Sequence, residues 1–518
     1  MKDMLARLLA LLLFLCLLSA CGTVSREDTP GQDADPPGQA EAPLPPAEEL
    51  PPKQPEALPE PPEQTMEERQ REFLSFLAEV NAQRRAICDD PEPPRLEEAW
   101  TPDLSELEGM FTEEQMDALL TNPGGAESSS AITHIFADFA AEDVETAFSL
   151  LKHSYGAYDY FGGDGVFLPI KEAVLEALPR EGLVSTRDLE ALLAEHLAPV
   201  LVDGHFTIGS TPMRSSHIRY MYYVDDLYFD EAGGIDPALV KPTVDGEGRL
   251  RLCLAALATP EEAEALPDTL TVQGAELSLS WRQDARSVRS GSDIFTESTL
   301  PDGTPLLTST AMYASTKAQQ VQLDRLAACG AEYAGAPVLV LDVRNNGGGS
   351  DQYINSWFTG YAGQSPDRRL AYAQKRSPLN RYLYNTRWSY GLPDVTTWYR
   401  YSSPGQFVEH DGLTLVLQNK GTASSGETVV ENLRTLENTI FIGSSTLGCA
   451  LVPNNGYFYL PHSGLSLYFG TCLLLTDDRE NRDGAGFSPD LWVPSDRAGD
   501  AAERMIGYYG LAALLSGD

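Results

Sequence analysis

Apolar residues follow two rhythms along this chain. From Thr65 to about Ala198 they recur every three or four positions, as in Phe73, Phe76, Leu77 and Val80, and again in Val144, Phe148, Leu150 and Leu151. That spacing lines one face of a helix, and "STRDLEALLAEHLAP" continues it behind a capping Ser185 or Thr186. A helical domain is expected over 66–200. "LVDGHFTIGS" (Leu201 to Ser210) breaks the pattern, and "IRYMYYV", "RLRLCLAAL" and "TLTVQGAELSLSW" make 201–335 a strand-rich middle region. The second rhythm begins at Pro337. "PVLVLDV", "LTLVLQN" and "TIFIG" are continuous apolar runs suited to strands buried on both faces. Helical segments follow the first two, "DQYINSWFTGY" and the stretch after Ser424. "GYFYL", "LSLYFG" and "CLLLT" read as hairpin strands before a terminal helix near 501–515. Strands alternating with helices predict an α/β core over 336–518.

The N-terminus follows neither rhythm. Lys2 and Arg7 precede an apolar run, Leu8 to Leu18, too short to span a bilayer, and Leu18-Ser19-Ala20-Cys21 follows. Residues 1–21 read as a secretory leader. The tetrapeptide resembles the lipobox of bacterial lipoproteins, which implies a lipid on Cys21. Residues 22–65, with runs such as "PLPPAEELPPKQPEALPEPPEQ", lack the apolar surface to fold and read as a proline-stiffened tether. The expected location is the outer face of a bacterial membrane, held by an acyl chain.

Charge narrows the partners. Lys plus Arg number 37 against 76 Asp plus Glu, a net charge of -39. Such a surface repels phosphate backbones, so nucleic acid is not an expected partner. The cysteines beyond Cys21 (Cys88, Cys253, Cys329, Cys449 and Cys472) are scattered and form no CxxC pair, so neither a zinc site nor a disulfide framework is predicted.

Two stretches at strand ends could carry chemistry. "RNNGGGS" follows the first buried strand, and its glycines leave backbone N–H groups free to meet a ligand or an oxyanion. "GTASSGE" follows the second. There Ser424 caps a helix with Glu427 three residues on, an arrangement equally consistent with a plain capping box. A serine at such an elbow has its hydroxyl held forward, with the Ser425 N–H at the helix N-terminus.

"VLVLDVRNNGGG", "GTASSGE" and "DGAGFSPDLWV" (Asp483 to Val493), in that order, resemble the tail-specific (C-terminal processing) and tricorn-core serine proteases. The resemblance implies a ClpP/crotonase-like fold for the catalytic core and cleavage of a polypeptide substrate without metal or organic cofactor. One branch of that family takes its base from a lysine on the strand after the nucleophile helix. Here Cys449 occupies that place, and no lysine follows Lys420. The tricorn-like branch uses an upstream histidine oriented by a carboxylate, which implies His205 in "LVDGHFTIG" as base and Asp483 as orienter, with Asp203 in reserve. Ser424 is then the nucleophile, and the N–H groups of Ser425 and of Gly348 or Gly349 form the oxyanion hole. Asp342 with Arg344 reads as a structural ion pair and Asp490 as a turn anchor. Ile218 to Gln283 is long enough for a PDZ module but shows no clean glycine–hydrophobic loop. A binding module on the same fold, or an esterase or wall hydrolase with the same triad, are the competing functions.

Overall fold

The computed structural model describes residues 64–123, 132–272, 275–284, 292–476 and 481–516. The leader, Cys21 and most of the tether lie outside the described residues. Among the described residues no helix is long and apolar enough to cross a membrane.

The first part is helical, with α1 (Met66–Cys88), α2 (Ala137–Ser154), α3 (Asp164–Ala177) and α4 (Thr186–Leu197). The Ser185 hydroxyl caps α4 by accepting the Asp188 N–H at 3.0 Å. Val144, Phe148, Leu150 and Leu151 form the buried stripe that the spacing predicts in α2. Helix α1 packs elsewhere. Its Phe73 ring lies 5.4 Å from that of Tyr509, Asn81 Nδ2 donates to Asn438 Oδ1 at 2.8 Å, and Arg84 pairs with Asp490. Periodicity shows that a face is buried; it does not name the surface that buries it.

A short hairpin, β1 (Thr207–Ile208) and β2 (Thr211–Pro212), follows the helices. Next come β3 (Tyr220–Phe229), β4 (Val240–Val244), β5 (Leu250–Ala258) and β6 (Trp281–Gln283), in a sheet ordered β6-β3-β5-β4.

The remaining elements build the core. They are β7 (Phe295–Thr299), β8 (Pro305–Ser309), α5 (Lys317–Tyr333), β9 (Val338–Asp342), α6 (Asp351–Ala362), β10 (Leu370–Arg376), β11 (Thr397–Ser403), β12 (Leu413–Gln418), α7 (Ser425–Leu433), β13 (Thr439–Gly443), β14 (Asn455–Tyr459), β15 (Ser466–Gly470), β16 (Cys472–Thr476), β17 (Leu491–Trp492) and α8 (Ala498–Tyr509). The central sheet runs β7-β8-β9-β12-β13-β17, parallel from β8 onward, and two of its strands precede residue 336. Every residue of β9, β12 and β13 is buried, as their apolar runs require. Each fully buried leucine or valine there contributes about 1.5–3 kcal/mol. Helices α5 and α6 cover one face. Gly330 lets them touch, since a Cβ there would lie 2.0 Å from the Trp357 carbonyl oxygen.

The expected run of three hairpin strands divides. β14 pairs with β15, which pairs with β1, giving the order β14-β15-β1-β2. After Thr471 the chain changes sheets, and β16 joins β10 and β11. Asp342 and Arg344 form the two-pronged ion pair anticipated, at 2.7 and 3.0 Å, and Asp490 accepts the Phe441 N–H at 2.7 Å.

Candidate active site

Strands β9 and β12 are parallel neighbours, so the turns that follow them emerge side by side. Asn345 and Asn419 latch them together. Asn419 Oδ1 accepts the N–H groups of Asn345 (2.8 Å) and Gly421 (2.9 Å), and its amide donates to Asn345 Oδ1 at 3.0 Å. The Asn346 carbonyl then accepts the Ala423 N–H at 2.9 Å. The glycine turn is thereby pressed onto the serine elbow. A Cβ on Gly348 would sit 2.7 Å from that of Ser424 and 2.9 Å from the Ser425 nitrogen.

Ser424 itself has φ 53° and ψ -124°, a conformation that costs an L-residue about 1–3 kcal/mol. Such strain persists where surroundings over-determine it. The main clamp is Glu427, in the first turn of α7. Its carboxylate accepts from the Ser424 N–H (3.2 Å), the Thr446 hydroxyl (2.6 Å), the Gly448 N–H (2.9 Å) and the Cys449 N–H (2.7 Å). The glutamate expected only as a capping partner therefore also ties the elbow to the loop after β13.

The histidine loop reaches that same loop. A Cβ on Gly204 would lie 2.5 Å from the Gly448 carbonyl oxygen and 2.7 Å from the Cys449 Cα, so the two backbones touch. Cys449 is buried with Ala423, the residue before the nucleophile candidate. Phe206 and Ile208 are buried in the core, and His205 sits at the bend just before the hairpin, half-buried. Burial, aided by the Arg214 guanidinium, pulls the His205 imidazole down to about 3, so the ring is neutral at physiological pH.

Three expected roles are corrected by the geometry. Asp483 does not hold the imidazole. It accepts the N–H groups of Gly204 (2.7 Å), Ala450 (3.0 Å) and Leu451 (3.1 Å), and His205 Nδ1 is buried with no hydrogen-bond partner among the described residues. The short aspartate side chain is consumed in fastening the loop. Asp203 does not hold the ring either, accepting the His205 backbone N–H and the Tyr155 hydroxyl, both at 2.8 Å. The two carboxylates grip the 203–205 backbone from either side, and burial raises both above the usual carboxylate range. Lastly, the Gly348 N–H is already engaged by Asn346 Oδ1 at 3.0 Å. The N–H groups of Gly349 and Ser425 make no such bond among the described residues.

Lys420 is the residue that sequence reasoning passed over. Its buried ammonium donates to the carbonyl oxygens of Thr446 (2.8 Å), Gly484 (3.0 Å) and Ala485 (3.1 Å), pinning the loop that bears Asp483. Burial pulls it down to about 7 against the pull of Glu427. A charged residue at the end of an otherwise apolar buried strand was the available signal. Among the described residues, no group of His, Cys, Asp and Glu is arranged to hold a metal ion.

Burial raises the Glu427 carboxyl from 4.5 to about 7. Between those values the folded state keeps a proton that the unfolded chain has released, so this group makes folding less favourable as pH rises. Glu427→Gln removes that dependence. Its stability relative to wild type should improve by about 2–3 kcal/mol between pH 4.5 and 8. Urea unfolding at both pH values measures this, and a pH-independent difference would show that the carboxyl titrates normally.

Residues 306–493 match the model of peptidase family S41. No curated protein matches the chain. Among solved structures, mature CPAF is 13% identical over 74% of this chain and 98% of its own, with a TM-score of 0.42. The photosystem II D1 C-terminal processing protease is 16% identical over 69% and 93%, with a TM-score of 0.35. A lipoprotein from Streptococcus agalactiae is 14% identical over 70% and 94%, also at 0.35. At these TM-scores the likenesses carry no weight, and the family assignment rests on the matched segment, which holds the glycine turn, the serine elbow and Asp483. Through that segment, which spans about a third of the chain, the protein is similar to peptidase family S41.

Proposed function

We propose that the protein is a serine endopeptidase that cuts polypeptides through an acyl-enzyme. The observation that carries this reading is the strained Ser424 elbow, with the Ser425 N–H at a helix start and the His205 loop packed against Gly448 and Cys449. On this reading the Ser424 hydroxyl attacks a peptide carbonyl as His205 takes its proton. The N–H groups of Ser425 and Gly349 stabilise the resulting oxyanion. The imidazolium returns the proton to the leaving amine, and water then hydrolyses the ester with His205 again as base. Asp203 and Asp483 hold the loop that carries the base. Cys21 would bear a lipid holding the enzyme on the outer face of a bacterial membrane, with 22–65 as tether.

One observation favours a second reading. An imidazole with no orienting carboxylate suits a binding cleft in which the old machinery is idle. A fluorophosphonate probe separates the two: covalent labelling at Ser424 supports the enzyme, and unlabelled native protein supports the binder. Cleavage of unfolded protein without turnover of nitrophenyl esters would further separate a peptidase from an esterase.

A further inference from the structure

The sheet that carries the histidine hairpin also carries three tyrosines on one face. Across its strands, Pro212 lies opposite Thr207, Thr207 opposite Tyr468, and Tyr468 opposite Tyr457. Directly opposed residues share a face, so this row projects on the side away from Phe206, Ile208, Leu467 and Phe458, all of which are buried. His205 stands two residues before Thr207 in that row. The Tyr457 and Tyr468 rings lie 4.5 Å apart and those of Tyr457 and Tyr459 6.4 Å apart. Tyr468 reaches inward. Burial raises its hydroxyl above the usual phenol range. Cys449 packs on Ala423 beside the elbow. Tyr457 ends the row in solvent, 43% exposed.

Resting on the peptidase reading, we infer that Tyr457, Tyr459 and Tyr468 form a substrate subsite that takes an aromatic or large aliphatic side chain of the bound polypeptide. The occupant follows from position and chemistry. The row abuts the histidine hairpin, with Tyr468 opposite Thr207, and the Gly204 backbone that leads into that hairpin touches Gly448 and Cys449. Tyr457 stands two strands from the histidine hairpin, about 10 Å at the usual spacing, and an extended chain rises about 3.3 Å per residue. The side chain received therefore lies within about three residues of the bond cut. Neighbouring aromatic rings favour apolar surface, and a carboxylate desolvated against them is penalised. The acidic surface of the protein, at a net charge of -39, discourages acidic residues as well.

The test uses the full chain carrying Ser424→Ala, so that binding is read without turnover. Fluorescein-labelled twelve-residue peptides differ only in one central residue: Phe, Leu, Ala or Asp. The expected order is Phe and Leu at least tenfold tighter than Ala, with Asp weakest. Adding Tyr457→Ala should erase the preference for Phe while leaving the Ala peptide unchanged. Tyr457→Phe should retain it, and both variants should melt with the parent. Equal affinities for all four peptides, or a preference that survives Tyr457→Ala, would overturn the subsite. So would a Tyr457→Ala effect on self-association alone, which would give the face to a second copy. Fluorophosphonate labelling of the chain with Ser424 intact is scored separately. Absent labelling with selective binding refutes the peptidase chemistry and keeps the subsite, whereas labelling without selectivity does the reverse.

Discussion

Ser424→Ala should lower the rate of polypeptide cleavage by at least about 10⁴-fold, and His205→Ala should lower it by a similar factor. The two effects should not add. Nucleophile and base act as one unit, so the double variant should be about as slow as either single one. Conformation singles out Ser424. A non-glycine residue at φ 53° is held there by the Glu427 carboxylate on its own N–H, by the Asn346 carbonyl on the preceding N–H, and by the glycine turn against its Cβ. Removing the hydroxyl disturbs none of these supports, so Ser424→Ala should melt close to wild type. Burial keeps the His205 imidazole neutral and able to accept a proton. Circular dichroism of both variants, alongside kcat/KM, separates lost chemistry from lost fold. Additive losses would mean that the two residues work independently.

Gly348→Ala should also be damaging, by a different route. Its φ of +99° is unfavourable to any side chain, and the added methyl would press on the Ser424 Cβ, the Ala423 carbonyl and the Ser425 nitrogen, all within 2.9 Å. The elbow must shift by several tenths of an ångström. Since a misplacement of about 1 Å at reacting atoms costs about 10²-fold in rate, this shift should cost roughly 10-fold or more, and the strain should take about 2–4 kcal/mol from stability. Gly347 offers the internal control. A Cβ there meets nothing within 4 Å and its φ is not left-handed, so Gly347→Ala should be close to neutral. Equal tolerance of both alanines, by kcat/KM and by urea midpoint, would mean that the glycine turn does not support the elbow.

The core was legible because its strands are written in one kind of residue. Val338 to Leu341 and Ile440 to Ile442 are unbroken apolar runs, and Leu413 to Leu417 is interrupted only by Thr414; only a strand covered on both faces needs such runs. The serine elbow and the glycine turn were legible as motifs, and the parallel register of β9 and β12 explains why they meet. Other features were not, because each depends on contacts between distant parts of the chain. Phe73 and Leu77 announce a buried face but not that Tyr509 lies in the core they join. Cys472 follows the hairpin strands so closely that nothing local signals a change of sheet. Asp483 was read as the partner of an imidazole because its motif position suggested it; its oxygens are instead taken by three backbone N–H groups. Glu427 and Lys420 show the converse. Their types and positions were plain, but their partners at 446–449 and 484–485 come from loops that only the folded chain assembles.

The central claim is that a hydroxyl at the strained turn and an imidazole delivered from far upstream in the chain meet around one substrate atom. A crystal structure of the protein after reaction with a small alkyl fluorophosphonate reads this directly. The account predicts phosphorus bonded to Ser424 Oγ, the phosphonyl oxygen within about 3 Å of the Ser425 nitrogen, and a His205 ring nitrogen within about 3–3.5 Å of Oγ. An adduct on another side chain, or a His205 ring turned away from the modified serine, would contradict it.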